Sequence, residues 1–252
     1  MLAGPDLTVD LIRATVVIEQ AGTVKDQTVG TAFLIDDPAP DARPRIVLVT
    51  AAHVLESMPG DEIRVGWRFA DGDGYRFAPA PLRIRDHGKA LWTRHPLQDI
   101  AVMAIEAPAS FARAAIPISW LGDSATFTDY GIGPGDEMMS LGYPRGLAAN
   151  HEGFPILRAG RVASYPMTPV SRYPTFLLDL KVFPGNSGGP VFMAEYAHRR
   201  PDTEHESPPV IAGLLTRQLD LEIGVVAQAQ YIRETLQMLD PAPAKPEAES
   251  PK

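Results

Sequence analysis

The chain has 252 residues, of which 45% are hydrophobic and 21% charged, as in a soluble globular protein with a sizeable core. Its net charge of -8 argues against nucleic acid or an anionic membrane surface as the main partner. The absence of cysteine excludes disulfides, thiol chemistry and zinc–thiolate sites.

The first half of the chain is a series of short apolar runs separated by turn residues. After an N-terminal extension of residues 1–10, these runs predict strands at residues 11–19, 30–35, 45–50, 62–69 and 99–105, with a strand pair within residues 79–93. The Asp-Gly-Asp-Gly run at residues 71–74 lacks the later ligands of a calcium loop, so we interpret it as a hairpin turn.

The second half begins after a segment rich in proline, glycine and alanine at residues 107–135, whose glycines follow no dinucleotide fingerprint. It predicts strands at residues 137–143, 156–164, 175–182, 191–195, 210–216 and 224–228, and one helix at residues 231–239. A polar insertion that ends at Pro209 contains His198 and His205, which we interpret as residues of a solvated loop rather than metal ligands. Residues 240–252 predict a disordered tail.

Many short strands with one terminal helix favour an all-β barrel or sandwich over an α/β fold. No apolar run approaches the length of a membrane span, and the first ten residues contain no basic segment followed by an apolar core. We therefore expect no membrane insertion and a cytoplasmic location, or an exported protein whose leader has been removed.

The run Pro-Gly-Asn-Ser-Gly-Gly-Pro at residues 184–190 lies between two apolar runs and forces the backbone to turn sharply. Ser187 at its centre is a candidate nucleophile. The amides of Gly185 and Ser187 are candidates to bind one substrate oxygen. The alternative is an ordinary loop, because the same residue types are common in turns.

A serine nucleophile needs a base and a group that orients the base. Among six histidines, His53 stands out because it follows a buried strand through two alanines, whereas His87, His95 and His151 suit surface positions. Asp99 begins an apolar strand. Each residue alone has an ordinary structural explanation, and their joint appearance with Ser187 favours a catalytic one.

Three motifs together resemble the chymotrypsin-like (trypsin-fold) serine peptidases: Thr-Ala-Ala-His at 50–53, Asp-Ile-Ala-Val at 99–102 and Gly-Asn-Ser-Gly-Gly-Pro at 185–190. The bacterial HtrA-like branch without a PDZ domain is most similar, since Gly-Thr-Ala-Phe-Leu-Ile at 30–35 and Gly-Tyr-Pro at 142–144 also match. The resemblance covers about residues 11–239. It implies an all-β fold of two packed six-stranded antiparallel barrels, at about 11–115 and 116–230, followed by the C-terminal helix.

The resemblance also implies roles for individual residues. Ser187 is the nucleophile, His53 the general base and then acid, and Asp99 the group that holds the imidazole. The amides of Gly185 and Ser187 form the oxyanion hole. The implied activity is hydrolysis of polypeptide substrates without metal or cofactor.

The resemblance further implies substrate-binding positions. The segment from Thr216 through Arg217 to Gln218 pairs with the substrate backbone, and Lys181 lies at the base of the P1 pocket. A cation there and the bulk of Gln218 predict small or medium apolar P1 residues, with acidic ones second and basic ones disfavoured.

Two other functions stay open at this point. One is a catalytically silent binding or scaffold protein of the same fold. The other is an esterase-type hydrolase, but that class uses Gly-x-Ser-x-Gly with serine first in the chain order, the reverse of the order here. Asn186 before the nucleophile carries no charge, so we expect it to be satisfied by backbone groups and the turn to be ordered without N-terminal processing.

Overall fold

Two groups of antiparallel strands, one from each half of the chain, form the scaffold of this computed structural model, which describes residues 7–20, 28–38, 43–193 and 210–239. The predicted polar insertion with His198 and His205 and the predicted C-terminal tail lie outside these residues. The predominance of strands confirms the all-β fold class expected from the sequence.

The first half contains ten strands and three short helices. The strands are β1 Thr15–Gln20, β2 Thr28–Asp36, β3 Ile46–Thr50, β4 Glu62–Asp71, β5 Gly74–Arg83, β6 Arg85–Asp86, β7 Lys89–Ala90, β8 Thr93–Arg94, β9 Ala101–Ile105 and β10 Ile116–Pro117. The helices are α1 Leu7–Ala14, α2 Ala52–Glu56 and α3 Ala109–Ala114.

Eight of these strands form one sheet in the order β5-β4-β1-β2-β3-β9-β8, with β10 parallel to β2. Within the described residues, β5 and β8 are the edge strands of this sheet. β6 and β7 form a separate two-stranded ribbon. The central strands β2 and β3 are almost wholly buried, because they carry continuous apolar runs.

The second half closes into a six-stranded barrel in the order β11-β12-β13-β16-β15-β14, which confirms the predicted barrel. Its strands are β11 Glu137–Gly142, β12 Ile156–Val162, β13 Thr175–Asp179, β14 Pro190–Met193, β15 Val210–Leu219 and β16 Ile223–Gln228. Two helices accompany it, α4 Ser124–Asp129 and α5 Ala229–Gln237. A separate apolar cluster fills the barrel.

The main core cluster joins the two halves. It contains strands β1 to β3 of the first sheet together with barrel residues such as Leu141 and Phe192. Ile232 and Leu236 on one face of α5 are buried in the same cluster, and Leu239 packs against it, as the predicted helix requires. Burial on both sides holds the two halves as one packed unit at their junction.

The N-terminal segment differs from the prediction. The expected strand at residues 11–19 begins only at Thr15, and the residues before it form helix α1. Leu7, Leu11 and Ala14 lie at helical spacing and are buried, so their contact with the core favours a helix over the extended run suggested by the following valines. Helices α3 and α4 in the predicted connection were also not expected.

The hairpin at residues 71–74 is confirmed. Asp71 of β4 lies opposite Gly74 of β5, and the turn residue Gly72 has a φ of 58°. No group of three or more potential metal-binding side chains occurs within the described ranges. None of the helices in those ranges is long and apolar enough to span a bilayer.

Candidate active site

The pairing of β3 with β9 brings His53 and Asp99 together. In this antiparallel pair Thr50 lies opposite Ala101. His53 follows Thr50 within helix α2, and Asp99 shortly precedes Ala101, so both residues lie at the same end of the strand pair. Local chain geometry thus places a histidine beside a carboxylate.

Two contacts join His53 to Asp99. The His53 Nδ1 atom lies 2.6 Å from Asp99 Oδ2, and the His53 backbone N–H donates to Asp99 Oδ1 over 2.9 Å. Burial of the Asp99 carboxyl acts to raise its pKa, but the hydrogen bonds from His53 outweigh burial and hold the pKa of Asp99 below its usual value. The ionised carboxylate favours the tautomer with Nδ1 as donor, which leaves Nε2 as the proton acceptor.

His95 shapes the turn that leads to Asp99. Its ring is buried, and Nδ1 accepts the backbone N–H groups of Leu97 over 3.1 Å and Gln98 over 2.9 Å. The His95 N–H donates to the carbonyl of Ile100 over 2.9 Å. The interpretation of His95 as a surface residue is therefore wrong: the polar flanks hid a ring that satisfies backbone groups inside the turn.

The turn that carries Ser187 requires glycine on both sides of the serine. The φ angle is 96° at Gly185 and 88° at Gly188, a region that other residues adopt at a cost. A Cβ on Gly188 would overlap the carbonyl oxygen of Thr31 and the hydroxyl of Thr50. The turn therefore packs directly against the segment that leads into His53.

We expect Gly188→Ala to lower the unfolding free energy by at least about 3 kcal/mol, because strain at positive φ adds to overlap with backbone atoms. Thermal and denaturant unfolding measure this effect. Two control variants separate its causes: Gly133→Ala adds a Cβ into open space, and Gly72→Ala adds only the strain of positive φ, about 1 kcal/mol. Equal stability of the Gly188→Ala and Gly72→Ala proteins would contradict the packing described here.

Thr31 connects the two halves at the turn and was not singled out from the sequence as a site residue. Its N–H donates to the Ser187 carbonyl over 2.9 Å, and its Oγ1 donates to the Gly185 carbonyl over 2.7 Å. Thr50 Oγ1 in turn donates to the Thr31 carbonyl over 2.7 Å. The only available signal was a threonine inside an apolar run, and its partner Gly185 lies 154 positions away in the chain.

The same turn contains two main-chain donors without an acceptor. Within the described part of the chain, neither the Gly185 N–H nor the Ser187 N–H donates a hydrogen bond. The neighbouring carbonyl of Pro184 accepts the Arg145 N–H over 2.6 Å, so it is held by another partner. Two adjacent donors of this kind are suited to bind a negatively charged oxygen.

The backbone of Asn186 agrees with the expectation of an internally ordered turn, but its side-chain oxygen does not have the expected partner. Its backbone N–H donates to the Phe183 carbonyl over 3.0 Å, and its carbonyl accepts the Gly189 N–H over 3.0 Å, so internal contacts order the turn. The side chain is buried, however, and its Oδ1 atom has no partner among the described residues. The expected satisfaction of the Asn186 side chain by backbone groups is therefore wrong for this oxygen.

The Ser187 hydroxyl donates to the carbonyl of Thr216 over 2.8 Å. In the described ranges no hydrogen bond joins Ser187 to His53. The structure thus brings His53 and Asp99 together, and it joins Ser187 to Thr216, a pairing that the sequence did not predict, in two halves that meet at Thr31 and Thr50.

Strand β15 offers a free edge beside Ser187. β14 pairs with β15 only as far as Leu214, and a bulge at Thr216 interrupts the pairing with β16. Thr216 is buried and its Oγ1 donates to the Val225 carbonyl over 3.1 Å, whereas Arg217 and Gln218 are exposed. Bulges often re-aim a strand next to an active site, and here the bulge lies at the residue that receives the Ser187 hydroxyl.

Lys181 is an exposed residue that forms an ion pair with Glu222. Its ammonium also lies 5.5 Å from the centre of the Phe183 ring. The cation predicted at the base of the P1 pocket is thus paired with a carboxylate, which reduces its repulsion of a basic side chain. This pair was not predictable from a local motif, because Glu222 lies 41 positions away.

Two further cations surround the same ring. The guanidinium carbons of Arg145 and Arg158 lie 5.3 Å and 5.6 Å from the centre of the Phe183 ring. Phe183 directly precedes the turn at residues 184–190, which we call the nucleophile turn after the candidate nucleophile Ser187, and the Arg145 N–H donates to that turn. The approach to Ser187 on this side is therefore rich in positive charge.

Comparison with known proteins agrees with this geometry. The family model of the trypsin-like peptidase domain matches residues 30–197. A search of curated proteins gave no significant match. Among solved structures, the Rv3671c protease from M. tuberculosis in its active form is similar over 94% of this chain and 85% of its own, with 18% sequence identity and a TM-score of 0.52.

The similarity to that structure concerns the fold alone, since the identity is low. The family match is more informative, because it covers two thirds of the chain and includes His53, Asp99 and Ser187. Together with the closed barrel and the strand pairs described above, it establishes the family. The chain belongs to the trypsin-like peptidase domain family.

Proposed function

We propose that this peptidase-fold protein is a serine endopeptidase that hydrolyses peptide bonds through an acyl-enzyme on Ser187. The observation that supports this most strongly is the His53–Asp99 pair, joined at 2.6 Å and packed next to a glycine turn that presents a serine and two donor amides. These are the parts that acyl transfer needs: a nucleophile, an oriented base and an oxyanion site.

The proposed reaction begins when His53 Nε2 takes the proton of the Ser187 hydroxyl. The serine Oγ then attacks the substrate carbonyl, and the resulting oxyanion is bound by the N–H groups of Gly185 and Ser187. His53, now protonated and stabilised by Asp99, gives its proton to the leaving amine. A water molecule activated by His53 then hydrolyses the acyl-enzyme.

These reaction steps require the Ser187 hydroxyl to break its hydrogen bond to the Thr216 carbonyl. A rotation about the Ser187 Cα–Cβ bond redirects the hydroxyl, and the backbone of the turn stays in place through its bonds to Thr31. We propose that a substrate main chain pairing with the free edge from Thr216 to Gln218 accompanies this rotation. The proposed substrate is therefore an extended polypeptide segment.

The charges near Phe183 indicate a substrate preference. Arg145, Arg158 and Lys181 place positive charge beside the turn, and among the described residues only Lys181 has a carboxylate within ion-pair distance. Like charges repel in a partly desolvated site. We propose that apolar and acidic residues are accepted at P1, and that basic residues are disfavoured.

We expect Glu222→Gln to raise kcat/KM for an acidic P1 residue relative to leucine by about two- to fivefold, because it leaves the Lys181 ammonium without its partner. Paired peptide substrates that differ only at P1 measure this ratio. Asp86→Asn is the matched control, since it also removes an exposed carboxylate paired with a basic residue. An unchanged ratio, or efficient cleavage after arginine, would contradict this account of specificity.

One observation favours a second candidate, a catalytically silent binding protein: the Ser187 hydroxyl is bonded to Thr216 and not to His53. A fluorophosphonate probe separates the two. For the wild type we expect one adduct per chain, which mass spectrometry maps to Ser187. In a His53→Ala protein the adduct should form slowly. A folded wild-type protein that never reacts would favour the binding function.

A further inference from the structure

A cavity outside the candidate active site has the chemistry of a ligand site. Its volume is about 320 Å³, and it is bordered by helices α1 and α3, strand β4 and the start of strand β5. None of His53, Asp99 and Ser187 lines it. The volume falls in the range of small-molecule sites.

A buried arginine forms part of the wall. The Arg68 side chain is almost wholly inaccessible, and its Nη2 donates to the carbonyls of Ile12, Arg13 and Thr15 over 3.1, 3.0 and 2.7 Å. Its Nη1 donates to the Tyr143 hydroxyl over 2.9 Å and to the Gly153 carbonyl over 3.2 Å. All of these partners are uncharged.

The charge of Arg68 is therefore left without a counter-ion. No carboxylate in the described ranges lies within ion-pair distance of its guanidinium. Burial raises the pKa of Tyr143 to about 12, so this hydroxyl stays neutral and does not balance the charge. Burial lowers the pKa of Arg68, yet a guanidinium remains protonated in proteins. A buried, uncompensated cation attracts an anion strongly.

The rest of the lining adds positive charge. Arg13 and Arg113 lie at the same cavity and are exposed, while Asp10 is the one acidic residue among the described residues that line it. Asp10 reaches Arg13 at 3.8 Å, a distance that gives a weak interaction at an exposed site. The described lining therefore carries three basic residues and one acidic residue.

Aromatic rings supply an apolar surface next to these charges. The Arg68 guanidinium carbon lies 5.2 Å from the centre of the Phe111 ring and 4.9 Å from that of the Phe154 ring. Tyr75 packs edge-on against Phe154, with ring centres 5.0 Å apart. Rings of this kind bind the hydrophobic part of a ligand, while the arginines hold its charged end.

We propose that this cavity binds a carboxylate carried on an aromatic or other apolar body, with Arg13 and Arg113 binding the carboxylate and the buried charge of Arg68 attracting it. Free acids and the C-terminal residue of a peptide share this chemistry. A planar carboxylate matches the fork of a guanidinium, and the aromatic walls reward the apolar body.

The cavity is also linked to the nucleophile turn through two residues, Tyr143 and Thr31. Tyr143, whose hydroxyl accepts from Arg68, donates its own N–H to Thr31 Oγ1 over 3.1 Å, and Thr31 Oγ1 donates to the Gly185 carbonyl. A chain of hydrogen bonds therefore joins the guanidinium in the cavity wall to the nucleophile turn.

Isothermal titration calorimetry on the full chain tests the proposal, with Ser187→Ala as the host so that the result is independent of peptidase activity. The probes are 3-phenylpropionate and its amide, which share an aromatic body and differ in charge. We expect the acid to bind at least about tenfold more tightly than the amide. Failure of the acid to bind at millimolar concentration, or equal binding of both probes, would overturn the proposal.

Variants then locate the binding. Arg13→Gln combined with Arg113→Gln changes exposed residues and keeps the buried Arg68 network, so it should fold and weaken acid binding at least about fivefold without affecting the amide. Lys181→Gln is the matched control and should leave binding unchanged. If Lys181→Gln weakens binding and the double variant does not, the acid sits near the nucleophile turn and the proposal is wrong.

The source of the carboxylate is distinguished with two peptides that end in phenylalanine, one with a free and one with an amidated C-terminus. A peptide with a free terminus that binds more tightly than 3-phenylpropionate indicates a peptide terminus as the ligand. Weaker binding of that peptide indicates a free acid, because the cavity then excludes the longer chain.

Discussion

Ser187→Ala is expected to lower kcat for peptide hydrolysis by about 10⁶-fold, since the members of a triad act as a unit and the nucleophile is removed. His53→Ala should have a similar effect. The Ser187→Ala change removes one side-chain hydrogen bond, from Ser187 Oγ to the Thr216 carbonyl, so the fold should remain intact. Steady-state kinetics with a quenched fluorescent peptide measure the loss, and thermal unfolding verifies the fold.

Ser164→Ala is a suitable control for this experiment. The Ser164 side chain also forms one hydrogen bond, in which its Oγ accepts the Leu177 N–H over 2.9 Å. Ser164 lies outside the nucleophile turn. We expect activity close to that of the wild type. Peptide hydrolysis retained by purified Ser187→Ala protein would remove the basis for the proposed mechanism.

Asp99→Asn is expected to lower kcat by about 10⁴-fold with little change in structure. The asparagine oxygen can still accept the His53 N–H, as Asp99 Oδ1 does at 2.9 Å. Its NH₂ group, however, faces His53 Nδ1 as a donor and stabilises the tautomer with the proton on Nε2. Because Nε2 then already carries a proton, it cannot accept the proton of Ser187.

The pH dependence gives a second readout for this variant. The pKa of Asp99 lies below its usual value, so the stabilisation from the His53–Asp99 contact is present at neutral pH and is lost as the pH falls through that lowered pKa. The stability difference between wild type and Asp99→Asn should therefore shrink below about pH 4. An Asp99→Asn protein with wild-type kcat would contradict the role proposed for Asp99.

Much of the scaffold could be predicted because strand signals are local. The apolar runs of β2, β3 and β9 and the turn at residues 71–74 are visible without knowledge of the rest of the chain. Helix α1 was missed because only eight residues carry its periodicity and apolar residues at strand spacing follow directly. Its form depends on burial of Leu7 and Leu11, which is a tertiary effect.

The candidate site also contains residues that local sequence predicts and residues that it does not. His53, Asp99 and Ser187 were found because each belongs to a short motif with its own sequence context. Thr31 was not, because its function depends on partners in the other half of the chain. The ion pair of Lys181 with Glu222 escaped prediction for the same reason, and so did the burial of His95.

Trapping of the acyl-enzyme is the most direct measurement of the proposed chemistry. The protein is mixed with the p-nitrophenyl ester of an N-blocked amino acid, quenched in acid within the burst of nitrophenol release, digested and mapped by mass spectrometry. We expect the acyl group on Ser187, no acyl group in Ser187→Ala, and greatly slowed formation in His53→Ala. An acyl group on a different residue, or a burst that persists in Ser187→Ala, would contradict the assignment of Ser187 as the nucleophile.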